Sequence, residues 1–264
     1  MKRKLMDQNM GSEIRCAIEE LSVMVKVKGG ILVPAAEHGG GDHVHEAAHI
    51  PTRPFLSLCT LILQVLDKIG PTMAVLSQDV HQNIRRLETK HESDPLTYSN
   101  MVEMLKNEAT EGIARNDTSC SRAFVWLTRS LDFTVALLQN LVRDPGKNMK
   151  QAVEESYTIT LKPWHRWISS AASKVALMLV PDNETFISSL MAKDENYDDL
   201  KLEIETLVSL LVPYLEQIHS ILVNYLTTQR LPNAAAFFFL LWLTCVFYMF
   251  DYTLFCRDFI TWIG

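Results

Sequence analysis

From Pro54 to Leu226 apolar residues return every three or four positions, and Gly-Pro, Asp-Pro and Pro-Asp pairs cut the pattern into helix-sized lengths. That period gathers each segment's apolar residues on one helical face, whereas a half-buried strand alternates at every second residue. No segment before residue 230 alternates cleanly, and no Asn-Gly turn joins β-branched runs. The expected fold is therefore all-α, with about eight helices.

The first helix is expected from Ser12 to about Lys26, with Ile14, Ala17, Ile18, Leu21 and Val25 in one stripe. Pro54 suits a first turn, and Phe55, Leu58, Cys59, Ile62, Val65 and Leu66 mark a helix apolar on most faces. Gly70-Pro71 makes a corner before a helix from Thr72 to Lys90. Ser93-Asp94-Pro95 reads as the cap of the next, with Met101, Val102, Leu105, Ala109 and Ile113 facing inward. A long apolar helix from Cys120 to Val142 follows, stopped by Asp144-Pro145-Gly146. Segments 152–161, 164–179 and 186–191 are expected to be helical, and a last helix over 198–226 carries Pro213 as an expected kink.

Four regions result: an N-terminal helix over 1–28, a flexible loop over 29–53, a helical domain over 54–230 and an apolar tail over 231–264. The loop holds His38, His43, His45 and His49 among glycines, without the cysteines or helical spacing of a metal site, and reads as a solvated insert. No metal or cofactor is expected. The stretch 234–250 carries no charge, and its length is borderline for a membrane span. A tail anchor, a core helix and a non-native extension remain open for it.

Net charge is −6, and the basic residues are scattered rather than striped, which argues against a nucleic-acid surface. Five cysteines without a C-x-x-C pair fit reduced thiols in the cytoplasm. No G-x-S-x-G, H-E-x-x-H, Walker or Rossmann pattern occurs, so binding rather than catalysis is expected.

Asp79, Asn83 and Arg86 stand at i, i+4 and i+7, which puts a carboxylate, an amide and a guanidinium on one face. Such a face can exchange hydrogen bonds with vicinal sugar hydroxyls, and an ordinary solvated helix can show the same spacing. Trp126 offers a flat surface for a sugar ring, with Arg129 one turn on; tryptophan at such spacing also serves as core. His165, between Trp164 and Trp167, can donate to an amide carbonyl, and each signal alone is weak.

Their order along the chain is more specific. The runs SQDVHQNIRRLE, FVWLTRSLDF and SYTITLKPWHRWISSAASKVAL resemble the glycolipid transfer protein family, and its plant branch most, over about residues 53–226. The resemblance extends to RPFLSLC, DKIGPTM and LVPDNETF. It implies a two-layer helical sandwich that takes up a sphingolipid and moves it between membranes. Asp79 would then bind the sugar and the ceramide amide N–H, Asn83 the sugar hydroxyls, and Arg86 would stand where the family commonly has lysine. Trp126 would stack under the first sugar, and His165 would bond the ceramide carbonyl. Phe124, Leu127, Phe133, Leu137 and Val175 are expected to line the chain tunnel, while Trp167 and Lys162 dock on the membrane surface.

The ceramide-1-phosphate branch of the family carries a cation in place of the Asn and an Arg in place of the stacking Trp. Asn83 and Trp126 thus favour a sugar, with a single hexose as in glucosylceramide expected, and Arg86 and Arg129 keep the phosphate reading open. A third reading is a lipid sensor or scaffold that binds a membrane-contact protein. Arg166 departs from the family, which usually has Gly there. The expected location is cytoplasmic and peripheral at membranes, with 234–250 as an optional tail anchor.

Overall fold

The computed structural model describes residues 13–27, 49–144, 146–164, 177–192 and 195–228. Among these residues there are eight α-helices and no strand, in keeping with the periodicity. They are α1 (Glu13–Val27), α2 (Thr52–Asp67), α3 (Ala74–Ser93), α4 (Met101–Thr110), α5 (Cys120–Arg143), α6 (Met149–Thr160), α7 (Asn183–Leu190) and α8 (Tyr197–Thr228). The chain divides into two compact units, Met1–Leu215 and Glu216–Gly264. In the second, the described residues are the helical end of α8.

Within the first unit α2, α3 and α5 pack on one another, α1 covers α2, and α4 and α6 lie against α5. The reason is in α5 itself. Phe124, Leu127, Leu131 and Leu138 make one buried stripe, and Phe133 and Leu137 bury a second face. A helix apolar on so many sides must be enclosed by others. Phe55 of α2 meets Phe124 edge to face at 5.0 Å between ring centroids.

Short polar side chains set the helix starts. Asn100 accepts from Val102 N to cap α4, Ser119 from Arg122 N to cap α5, and Asn148 from Lys150 N to cap α6. The cap expected at Ser93-Asp94-Pro95 is displaced. Asp94 instead accepts from Thr97 N in a turn, a 3-10 helix covers Thr97–Ser99, and Asn100 starts α4. Asn100 also accepts from Ile50 N at 2.9 Å, so one amide both caps the helix and anchors the chain entering α2. Because α4 ends at Thr110, Ile113 falls beyond it and is exposed rather than inward-facing. Gly70 forms the expected corner with φ of 87°, a conformation that favours glycine.

Glu108 of α4 is 5% exposed, and its carboxylate closes the start of α5. It accepts from Cys120 N at 2.6 Å, Ser121 N at 2.7 Å and Ser121 Oγ at 2.6 Å. Removing it strands two buried backbone donors at a helix N-terminus. Glu108→Ala should cost about 3 kcal/mol and lower the melting temperature by roughly 6–12 °C in thermal unfolding. A change under about 1 °C would contradict this role.

α8 continues through Pro213, and over Tyr197–Val223 it is long and apolar enough to cross a membrane by length and composition alone. Leu200, Ile204, Leu207 and Leu211 are buried at helical spacing while Leu202, Glu205 and Ser209 are exposed, the pattern of an amphipathic core helix. The apolar tail 234–250 and His38, His43 and His45 lie outside the described residues.

Candidate functional site

α3 carries the first group of polar residues. Asn83 is 4% exposed, Asp79 reaches the surface, and Arg86 is half-buried. The three form a hydrogen-bonded file. Arg86 Nη1 donates to Asn83 Oδ1 at 3.4 Å, and Asn83 Nδ2 donates to Asp79 Oδ2 at 3.2 Å. The i, i+4, i+7 spacing therefore produces contacts as well as a shared face. Arg86 Nη1 also donates to Asp117 O at 3.3 Å and to Ser119 O at 3.4 Å. Since Ser119 caps α5, the guanidinium ties the file to the helix that bears Trp126.

The Asp79 carboxyl has its pKa raised above the ordinary aspartate range by partial desolvation, against the pull of Arg86, Arg122 and the Asn83 amide. Arg122 stands in the first turn of α5 and pairs with Asp117 at 2.8 Å. It thus adds a cation to the surroundings of Asp79 that the reading of α3 alone missed. The signal was available, because Arg122, Trp126 and Arg129 repeat the i, i+4, i+7 spacing on α5.

Trp126 is half-buried and Arg129 only 7% exposed. The Arg129 guanidinium carbon lies 4.9 Å from the Trp126 ring centroid and 3.6 Å from that of Trp164. Trp164 sits in the turn after α6, where its backbone N–H donates to Leu161 O at 3.0 Å. The sequence singled it out only as a neighbour of His165, because contact between residues so far apart in the chain arises from packing. Burial pulls the Arg129 pKa down to about 9, Asp132 holds it up, and Arg122 lowers it further.

Phe124, Leu127, Phe133 and Leu137 are all buried. Lys162 is exposed just past α6. His165, Arg166, Trp167 and Val175 lie outside the described residues.

The sequence pattern of the family "Glycolipid transfer protein (GLTP)" matches residues 50–192. Glycolipid transfer protein 3 of Arabidopsis thaliana is 56% identical over 214 residues, 81% of this chain and 89% of that protein. Glycolipid transfer protein 2 of the same plant is 52% identical over 227 residues, 85% and 96% of the two chains. Among solved structures, FAPP2, described as selecting simple glycosphingolipids with the GLTP fold, superposes with a TM-score of 0.63 and 27% identity, covering 71% of this chain and 90% of its own. A point mutant of Arabidopsis accelerated-cell-death 11, complexed with ceramide-1-phosphate, shares the fold with a TM-score of 0.67 at 16% identity, over 84% and 98% of the two chains. With its helices, its motifs and these relatives in agreement, the chain belongs to the glycolipid transfer protein family.

Proposed function

We propose that this protein transfers a sphingolipid between membranes, with a glucosylceramide-type glycolipid as its cargo and no covalent step. The observation that carries this reading is the hydrogen-bonded file on α3, which runs from Arg86 through Asn83 to a carboxylate at the surface. Asp79 accepts from a sugar hydroxyl and from the ceramide amide, Asn83 serves further hydroxyls, and Trp126 supplies the stacking face. His165 donates to the ceramide carbonyl, and Trp167 and Lys162 meet the membrane.

Transfer is limited by the escape of the lipid from the bilayer, because each CH₂ exposed to water costs about 0.8 kcal/mol. An apolar sleeve between helices removes that cost. Selection then falls to the head group, since a lipid that leaves polar groups unpaired in a closed site binds less well. No energy source is required, and net movement follows the gradient.

Ceramide-1-phosphate is the second reading, and Arg86 and Arg129 favour it by their charge. Their geometry favours it less. One Arg86 nitrogen points at carbonyl oxygens, and Arg129 is stacked against two indoles. Transfer of glucosylceramide, galactosylceramide and ceramide-1-phosphate between vesicles separates the readings. Glucosylceramide should move fastest, and preferential movement of ceramide-1-phosphate overturns the assignment.

Acid should weaken glycolipid transfer. A raised pKa at Asp79 means that the accepting carboxylate is lost as pH falls through a value above the usual aspartate range of about 4. The stability effect has the opposite sign. The fold holds this proton more tightly than the unfolded chain does, so the contribution is present at acid pH and lost as pH rises through the raised pKa. A transfer profile with no acid limb above pH ~4 would detach the activity from Asp79.

As a tail anchor, 234–250 would hold the protein at a membrane, and removing 231–264 would release it into the soluble fraction of expressing cells. Unchanged fractionation would remove the anchor.

A further inference from the structure

We propose that Arg129 is a positioning residue for the Trp126 indole, and that the stack Trp126–Arg129–Trp164 helps set which head group the site accepts. The inference rests on the reading of Trp126 as the sugar platform, and it reassigns Arg129 from a head-group ligand to the support beneath that platform.

The spacing i, i+3 on α5 makes Trp126 and Arg129 neighbours, and Trp164 meets the guanidinium from the turn after α6. A guanidinium is planar and weakly hydrated, so it can lie flat against indole faces in a nearly closed environment. A lysine ammonium keeps the charge but is compact and strongly hydrated, and cannot stack in this way. Asp132 favours the charged form of Arg129, while burial and Arg122 oppose it. The cation thus lies against two rings and largely out of water, at 7% exposure.

The consequence is geometric. With one part of the Trp126 ring backed by a fixed cation, the half-buried indole keeps a single orientation before any lipid arrives. Trp164 immediately precedes His165 in the chain, so the stack also joins the stacking ring to the segment that bears the proposed carbonyl donor.

The test uses the full chain and vesicle transfer of glucosylceramide and ceramide-1-phosphate, read as the ratio of the two rates. Arg129→Lys and Trp164→Ala should each lower the glucosylceramide preference about tenfold, and Trp164→Phe should retain most of it. In a Trp126→Ala background, Arg129→Lys should change the ratio no further, because its effect runs through the missing ring. An unchanged ratio in Arg129→Lys, or a full additional loss in the Trp126→Ala background, overturns the proposal. If Trp164→Ala does not fold, Arg129→Lys and Trp164→Phe decide it.

If Trp126→Ala itself leaves the ratio intact, the sugar-platform reading has failed independently. Tryptophan emission then tests the stack alone. A shifted or brightened emission in Arg129→Lys supports the contact, and an emission identical to the wild type overturns it.

Discussion

Asp79→Val should reduce glucosylceramide transfer between vesicles to background. The carboxylate is assigned two charge-assisted bonds to the lipid, each worth about 1.5–3 kcal/mol. Their loss corresponds to roughly a hundredfold to ten-thousandfold in binding. Valine also takes the acceptor from Asn83 Nδ2 and a compensating charge from between Arg86 and Arg122. Because Asp79 lies at the surface, the fold should survive, with a stability change within about 1 kcal/mol. Loss of transfer with an intact melting transition would therefore locate the defect in recognition. Undiminished transfer would sink the assignment of α3 as the head-group helix.

Trp126→Ala should lower glucosylceramide transfer by about tenfold to a hundredfold, through the lost stacking area. Ceramide-1-phosphate, which brings no sugar ring to stack, should lose far less. Comparing two lipids with one variant matters because Trp126 also rests on buried Arg129, so its removal is expected to cost some stability. That cost acts on both lipids alike. An equal fall for the two would mean that stacking is not the selectivity device.

Both predictions concern residues that one-dimensional spacing brought forward, and the reason differs from helix to helix. Asp79, Asn83 and Arg86 were legible because an α-helix converts i, i+4, i+7 into adjacency without help from the rest of the chain. The file between them depends on one helix only. The same holds for the burial of Phe124, Leu127 and Leu131 on α5, where a local period implies a buried face. Helix existence and class were legible for that reason among the described residues, and the helix expected over 164–179 falls mostly outside them.

Starts of helices were less so. Ser93-Asp94-Pro95 has the composition of a cap, yet α4 begins at Met101 and is capped by Asn100. The Asn100 amide also receives Ile50 N, and the Ile50 carbonyl accepts from Met101 N at 2.9 Å, so that end is fixed by a segment fifty residues away. Glu108 shows the same limit. In the sequence it is one more acid on a helix, and its role at the start of α5 exists only once α4 and α5 pack.

The polar site divides along this line. Local helical geometry sufficed to place a carboxylate, an amide and a guanidinium on one face, and to give α5 a tryptophan with an arginine one turn away. Packing alone determined that Arg86 reaches the cap of α5, that Arg122 acts on Asp79, and that Trp164 closes on Arg129 at 3.6 Å. Those contacts join residues from different helices. Their partners are chosen by how the buried apolar stripes of α2, α3 and α5 fit together, and no period along a single helix encodes that fit.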